Sequence, residues 1–332
     1  MMRHVHADEP GLARRNRGAH FTYVDARGNT VRDPATLRRI RALVIPPAWT
    51  NVWIAADPNG HIQATGRDAR GRKQYRYHPR WRALRDDAKY HRLVAFCAVL
   101  PKLRAVVARD LAAAKLTKRK VVATIVALME AAQLRVGNDE YARTNGSYGA
   151  TTLRDRHAKI RGDTIELAYR GKAGVARHVK LTDRRLARIV RSCRDLPGQR
   201  LFQYVDGDRV RPIASTDVNA YLREVTRGAF TAKDYRTWAG TLGAALLVAC
   251  AGNPAPKRVI ATVAEKLGHT PAVCKASYIH PRVMADERLA HAIRRRVGND
   301  VALAADSIRV ERLRAIEPIV ARALATRSKL RA

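Results

Sequence analysis

The stretch Ala264-Glu265-Lys266-Leu267-Gly268-His269-Thr270-Pro271-Ala272-Val273-Cys274-Lys275-Ala276-Ser277-Tyr278-Ile279-His280-Pro281 reads as two helices separated by a turn. The first ends at Gly268, the residue type that best tolerates a left-handed C-terminal cap. Thr270 supplies a capping oxygen and Pro271 a preset φ, so a short second helix starts there. Tyr278 stands near its end, and Pro281 prevents a longer one. A helix of that length can bring His269 and Tyr278 to one cleft, where a phenol could attack phosphorus. Taken alone, a His and a Tyr at helix ends are more often polar-tipped packing residues. The cations such chemistry needs must come from the rest of the chain.

They are abundant. The 332 residues carry 64 Lys and Arg against 29 Asp and Glu, a formal charge of +35. Such an excess implies a polyanionic partner, because self-repulsion would otherwise go uncompensated. Coding bias toward Arg would not explain the shortage of acids. A hydrophobic fraction of 46% supports true cores and excludes a disordered basic tail. No run is long enough to span a membrane, and no apolar leader opens the chain. Cys97, Cys193, Cys250 and Cys274 are widely separated, so neither a zinc site nor a disulfide framework is expected. Free buried thiols in a reducing cytoplasm fit that pattern.

Along the chain, residues 1–18 read as a mobile basic arm and residues 19–88 as a small strand-rich domain. That domain shows strands at Phe21 to Asp25, Val52 to Ala55 and His61 to Gly66, and a helix from Pro34 capped by Asp33. Its last part mixes cations with aromatics, and Arg67, Arg72, Lys73, Gln74, Tyr75 and Tyr77 are candidate DNA contacts. Gly66 and Gly71 faintly suggest a phosphate loop, but Arg72 and Lys73 replace its Gly-Lys-Ser/Thr continuation, which excludes ATP binding there. From Asp86 the periodicity turns helical, and residues 89–332 read as a larger, mainly helical domain. Within it, Ala158 to Leu181 forms strands with Lys172 at a glycine-flanked tip. Ser215 or Thr216 caps one helix, and Lys233 and Arg236 open another, where the helix dipole favours phosphate. The segments after Asp286 and Ser307 read as a basic helical tail. The fold class expected is α+β.

Arg135, Lys172, Lys233, Arg236, His269 and Tyr278 thus come from several elements of one domain. Together with Leu134-Arg135-Val136-Gly137-Asn138, Tyr169-Arg170-Gly171-Lys172-Ala173-Gly174-Val175, Lys233-Asp234-Tyr235-Arg236-Thr237-Trp238 and Gln74-Tyr75-Arg76-Tyr77, they make the chain resemble the poxvirus-like, or bacterial, type IB DNA topoisomerases. The likeness runs in the same order from about residue 20 to residue 285. It implies a C-shaped clamp on duplex DNA, with Tyr278 as nucleophile. Arg135, Arg236 and His269 would hold the non-bridging oxygens, Lys172 would be the general acid, and Lys233 would support the same phosphate or a neighbouring one. Tyr141 joins the implied DNA contacts.

The chemistry is coherent on its own terms. Phosphoryl transfer needs charge stabilisation on the equatorial oxygens, an aligned nucleophile and a protonated leaving group. With cations in those roles, no metal or other cofactor is expected, and Asp139 and Glu140 read as local charges rather than ligands. A monomer acting on double-stranded DNA, away from membranes and within a bacterial nucleoid, is the expectation. A tyrosine recombinase is the main rival, although such enzymes typically place His where Lys233 stands. A DNA-compacting protein explains the charge but not the ordered reactive set.

Overall fold

The computed structural model describes residues 2–18 and 20–326, apart from the side chains of residues 86–88 and 91. It divides into two compact units, Met1–Tyr90 and His91–Ala332, and the division falls inside a long helix. In the first unit, β1 (Gly11–Arg17), β2 (His20–Val24), β3 (Thr50–Ala55), β4 (Ile62–Arg67) and β5 (Lys73–Tyr77) form one antiparallel sheet in the order β2-β1-β3-β4-β5. The Asp33 carboxylate accepts the Thr36 N–H and so starts α1 (Pro34–Ala42). Ile40 of that helix packs with Val52, Ile54 and Ala64 to make the core of the unit.

The expected mobile arm is corrected here, because residues 11–17 are β1. Adjacent Arg14 and Arg15 break the alternation that would announce a strand. The Arg14 guanidinium compensates by donating to the carbonyls of Pro46 (3.1 Å), Pro47 (3.2 Å) and Trp49, and it lies 4.1 Å from the Phe21 ring centre. Upstream, buried Val5 donates its N–H to His61 Nδ1 at 3.1 Å. Met1 and Ala19, like residues 327–332 of the tail, lie outside the described residues.

The second unit is mainly helical. α2 (Pro79–Leu111) begins earlier than Asp86, since Pro79 suits a first helical position and His78 Nδ1 accepts the Arg80 N–H. It is followed by α3 (Lys118–Ala132) and α4 (Asp139–Asn145). β6 (Ala158–Arg161), β7 (Thr164–Arg170) and β8 (Ala176–Thr182) then form an antiparallel sheet. α5 (Arg184–Arg194), the hairpin of β9 (Gln203–Asp206) and β10 (Arg209–Pro212), and α6 (Ser215–Thr226) come next. Neither Ser215 nor Thr216 caps α6; the Asp217 carboxylate instead accepts the Ala214 N–H at 2.8 Å.

At the centre runs α7 (Ala232–Cys250), buried on nearly every side, as an apolar helix within a core must be. Against it pack α8 (Pro256–Leu267) and α9 (Pro271–Tyr278), and then the tail helices α10 (Glu287–Val297) and α11 (Val310–Ala325). The tail is therefore part of the helical core. Glu317 of α11 fixes it by accepting both Nη atoms of Arg104 at 2.8 Å and Trp238 Nε1 at 3.1 Å. The chain is α+β, a small strand-rich unit followed by a larger, mainly helical one. Among the described residues, no helix is long and apolar enough to cross a membrane.

Candidate active site

Gly268 ends α8 in the left-handed region (φ 63°), and the Thr270 hydroxyl accepts the Val273 N–H to start α9. The short turn between them places the His269 and Tyr278 rings 4.2 Å apart, centre to centre. Tyr278 is buried, and the Thr241 hydroxyl of α7 donates to its carbonyl at 3.3 Å. The two helices can approach because residue 240 is glycine. A Cβ there would lie 2.6 Å from the Tyr278 carbonyl oxygen.

Three guanidiniums meet at the C-terminal end of α8, where helix carbonyls lack partners. Arg177 of β8 donates to the carbonyls of Glu265 (3.0 Å) and Lys266 (2.9 Å). Arg236 of α7 donates to Leu267 O and to Gln133 O. Arg135, just past α3, reaches Gly268 O at 3.3 Å and both nitrogens of the His269 ring at 3.0 Å. The negative end of a helix dipole thus offsets charges that would ordinarily need carboxylates. Among the described residues, none of these three arginines forms an ion pair with Asp or Glu.

The electrostatics follow. Burial first, and then Arg135, push Arg236 down to about 10, so it remains a cation at neutral pH. Burial likewise lowers Arg135, opposed by Tyr278. His269 falls to about 3 through burial and the repulsion of Arg135, Arg236, Lys172 and Arg177. Its imidazole is therefore neutral and can donate one N–H. Arg236 sits 5.7 Å from the Tyr278 ring centre, and its Nε is buried without an acceptor. Chemically, such a cluster of cations beside a phenol can accept an anion.

Lys172 stands at the β7–β8 tip, in a single turn made possible by Ala173 at φ 62° and Gly174 at φ 78°. Its exposed ammonium lies 5.7 Å from the Tyr141 ring centre. Residues 78–296 match the family described as eukaryotic DNA topoisomerase I, catalytic core. Residues 20–68 match the bacterial DNA topoisomerase IB N-terminal domain. DNA topoisomerase 1B of Acanthamoeba polyphaga mimivirus is 34% identical over 285 residues, covering 81% of this chain and 85% of that protein. This chain belongs to the type IB DNA topoisomerases. It joins a bacterial-type N-terminal module to a eukaryotic-type catalytic core, in a family of DNA-binding enzymes that relax supercoils through a tyrosine intermediate.

In this type IB topoisomerase, Arg135, Lys172, Arg236, His269 and Tyr278 converge, whereas Lys233 stands exposed one turn before Arg236 on α7. Tyr141, grouped by sequence with the DNA contacts, lies beneath Lys172 in the second unit. The remaining DNA-contact candidates occupy the β4–β5 hairpin of the first unit, where β5 is an edge strand. Lys73, Tyr75 and Tyr77 alternate onto its exposed face, and the two tyrosine rings stack 5.8 Å apart. Gln74 falls on the other face, and Asp68 holds its amide at 2.9 Å. Asp68 also pairs with Arg72 at 2.7 Å, and Arg67 donates to Gly71 O at 2.7 Å, so these three side chains stiffen the turn. Asp139 pairs with Arg200, and no group of three or more His, Cys, Asp or Glu among the described residues could hold a metal ion. Sequence reasoning missed Arg177 and Gly240. Neither sits in a local pattern that would single it out.

Proposed function

We propose that the chain nicks one strand of duplex DNA through Tyr278, forming a 3′-phosphotyrosyl link and freeing a 5′ hydroxyl. Strand rotation and resealing then relax positive and negative supercoils, without ATP or metal. In the cleavage step the Tyr278 oxygen bonds to phosphorus as the P–O5′ bond breaks. The phenolic proton passes to water, and Lys172 protonates the departing O5′. Arg135, Arg236 and neutral His269 hold the non-bridging oxygens while charge develops there, and Lys233 supports the same phosphate or a neighbouring one. Resealing reverses each step, and the bond energy stays in the phosphotyrosine. The enzyme works as a monomer that closes around duplex DNA in a bacterial cytoplasm, with Lys73, Tyr75 and Tyr77 on the DNA backbone.

The observation that carries this reading is a buried tyrosine paired with a half-buried histidine, beside three arginines that donate to carbonyls at the end of α8. To test it, the purified protein and Tyr278→Phe are incubated with supercoiled plasmid in EDTA without ATP. A ladder of relaxed topoisomers from the wild type alone is expected. Relaxation that survives in Tyr278→Phe sinks the assignment, and a wild type that binds but never relaxes DNA moves it to a recombinase or a packaging protein.

A further inference from the structure

The Lys172 ammonium is exposed at a hairpin tip and makes no hydrogen bond among the described residues. Something else must hold that tip against the arginine–histidine cluster. Arg177 leaves β8 five residues after Lys172, and its stem packs on the backbone just before it: a Cβ at Gly171 would lie 3.1 Å from Arg177 Cγ. Its guanidinium then crosses to the end of α8, donating to Glu265 O and Lys266 O. There it also presses on the turn that presents His269, since a Cβ at Gly268 would lie 3.0 Å from Arg177 Cδ. One planar fork therefore ties the hairpin carrying the acid to the helix end carrying the phosphate-binding groups. A lysine could reach both carbonyls only from one freely rotating nitrogen, without the rigid planar fork.

We propose that Arg177 is a positioning residue for the reaction, fixing the Lys172 tip where its proton reaches the leaving oxygen. The proposal rests on the reading of Lys172 as general acid. It predicts that losing Arg177 harms leaving-group protonation more than phosphate binding or nucleophilic attack.

The test compares single-turnover cleavage of two duplexes at a position first mapped with the wild type. One carries the ordinary 5′ oxygen, the other a bridging 5′ sulfur. With sulfur, the P–S bond breaks and the electron pair leaves on a thiolate, which needs no proton because a thiol has a pKa of about 8.5. Arg177→Met is expected to cleave the oxygen duplex ~10–100-fold more slowly than wild type, the scale of a misplaced catalytic group, and the sulfur duplex within ~3-fold of it. Arg177→Lys should lose less and show the same rescue, which keeps the test open if the Met variant fails to fold. Equal loss on both duplexes, or no loss on either, overturns the positioning role. Lys172→Ala on the same pair separates the two ideas. If sulfur rescues Lys172→Ala but not Arg177→Met, positioning alone fails. If sulfur does not rescue Lys172→Ala, the acid assignment fails and takes the positioning role with it.

Discussion

Arg236 and His269 show how the site manages charge one residue at a time. A guanidinium only 4% exposed is costly, yet burial lowers Arg236 only to about 10, so the cation persists. The imidazole yields instead. With His269 at about 3, falling pH does not charge it in the free enzyme until far below neutrality. Its depressed pKa works against stability under acid: below the unfolded value near 6.5, the unfolded chain takes up a proton that the fold refuses. Unfolding free energy should therefore drop between about pH 6.5 and pH 3, and His269→Gln should flatten that limb in urea titrations. In the mechanism proposed above, a neutral donor suffices. His269→Gln should retain more cleavage than His269→Ala, which should lose about 10²–10³-fold, as deleting one oxyanion donor does. If both variants lose equally in single-turnover assays, a neutral hydrogen bond is not what His269 contributes.

Elements, rather than single residues, set the placement of Tyr278, and Gly240 is where α7 admits α9. An alanine inside a helix ordinarily stabilises by roughly 0.5–1 kcal/mol over glycine. Here the added methyl meets a carbonyl oxygen at 2.6 Å, and neighbouring backbone cannot swing aside as a long side chain would. Overpacking should win, so Gly240→Ala should lose about 1–3 kcal/mol in chemical denaturation and slow cleavage more than DNA binding. A variant as stable and active as wild type would mean that the α7–α9 contact relaxes freely. The same elements show what sequence can reveal. Gly268, Thr270 and Pro271 are local signals, so the ends of α8 and α9, and with them the His269–Tyr278 pairing, were readable directly. β1 was not, because its Arg14 is satisfied by the distant carbonyls of Pro46 and Pro47. Arg177 was hidden for the same reason, since its partners lie 88 and 89 residues away.

Across the whole molecule the excess of 35 positive charges must be tolerated by the fold before DNA can use it. Two of the scarce acids hold helices together: Glu130 and Glu317 flank Arg104 and tie α2, α3 and α11, while Glu317 also receives Trp238 of α7. Burial opposes the Arg104 charge, and hydrogen bonds to Glu317 and Glu130 more than restore it. Glu317→Ala should therefore cost about 3–5 kcal/mol in denaturant unfolding, since it strands a largely buried cation. A loss below 1 kcal/mol would mean that Glu130 alone neutralises Arg104. Cations not used this way remain for phosphate, and salt reports how many are. Neutralising 6–10 phosphates should weaken binding to a short duplex about 10³–10⁵-fold between 50 and 200 mM salt. The contribution of the exposed β5 face can be isolated. Lys73→Ala removes one exposed ammonium and should shallow the log–log salt slope by about 1, whereas Tyr278→Phe removes no charge and should leave it unchanged. A Lys73→Ala slope identical to wild type would take that face off the DNA and leave the helical unit to supply the phosphate contacts.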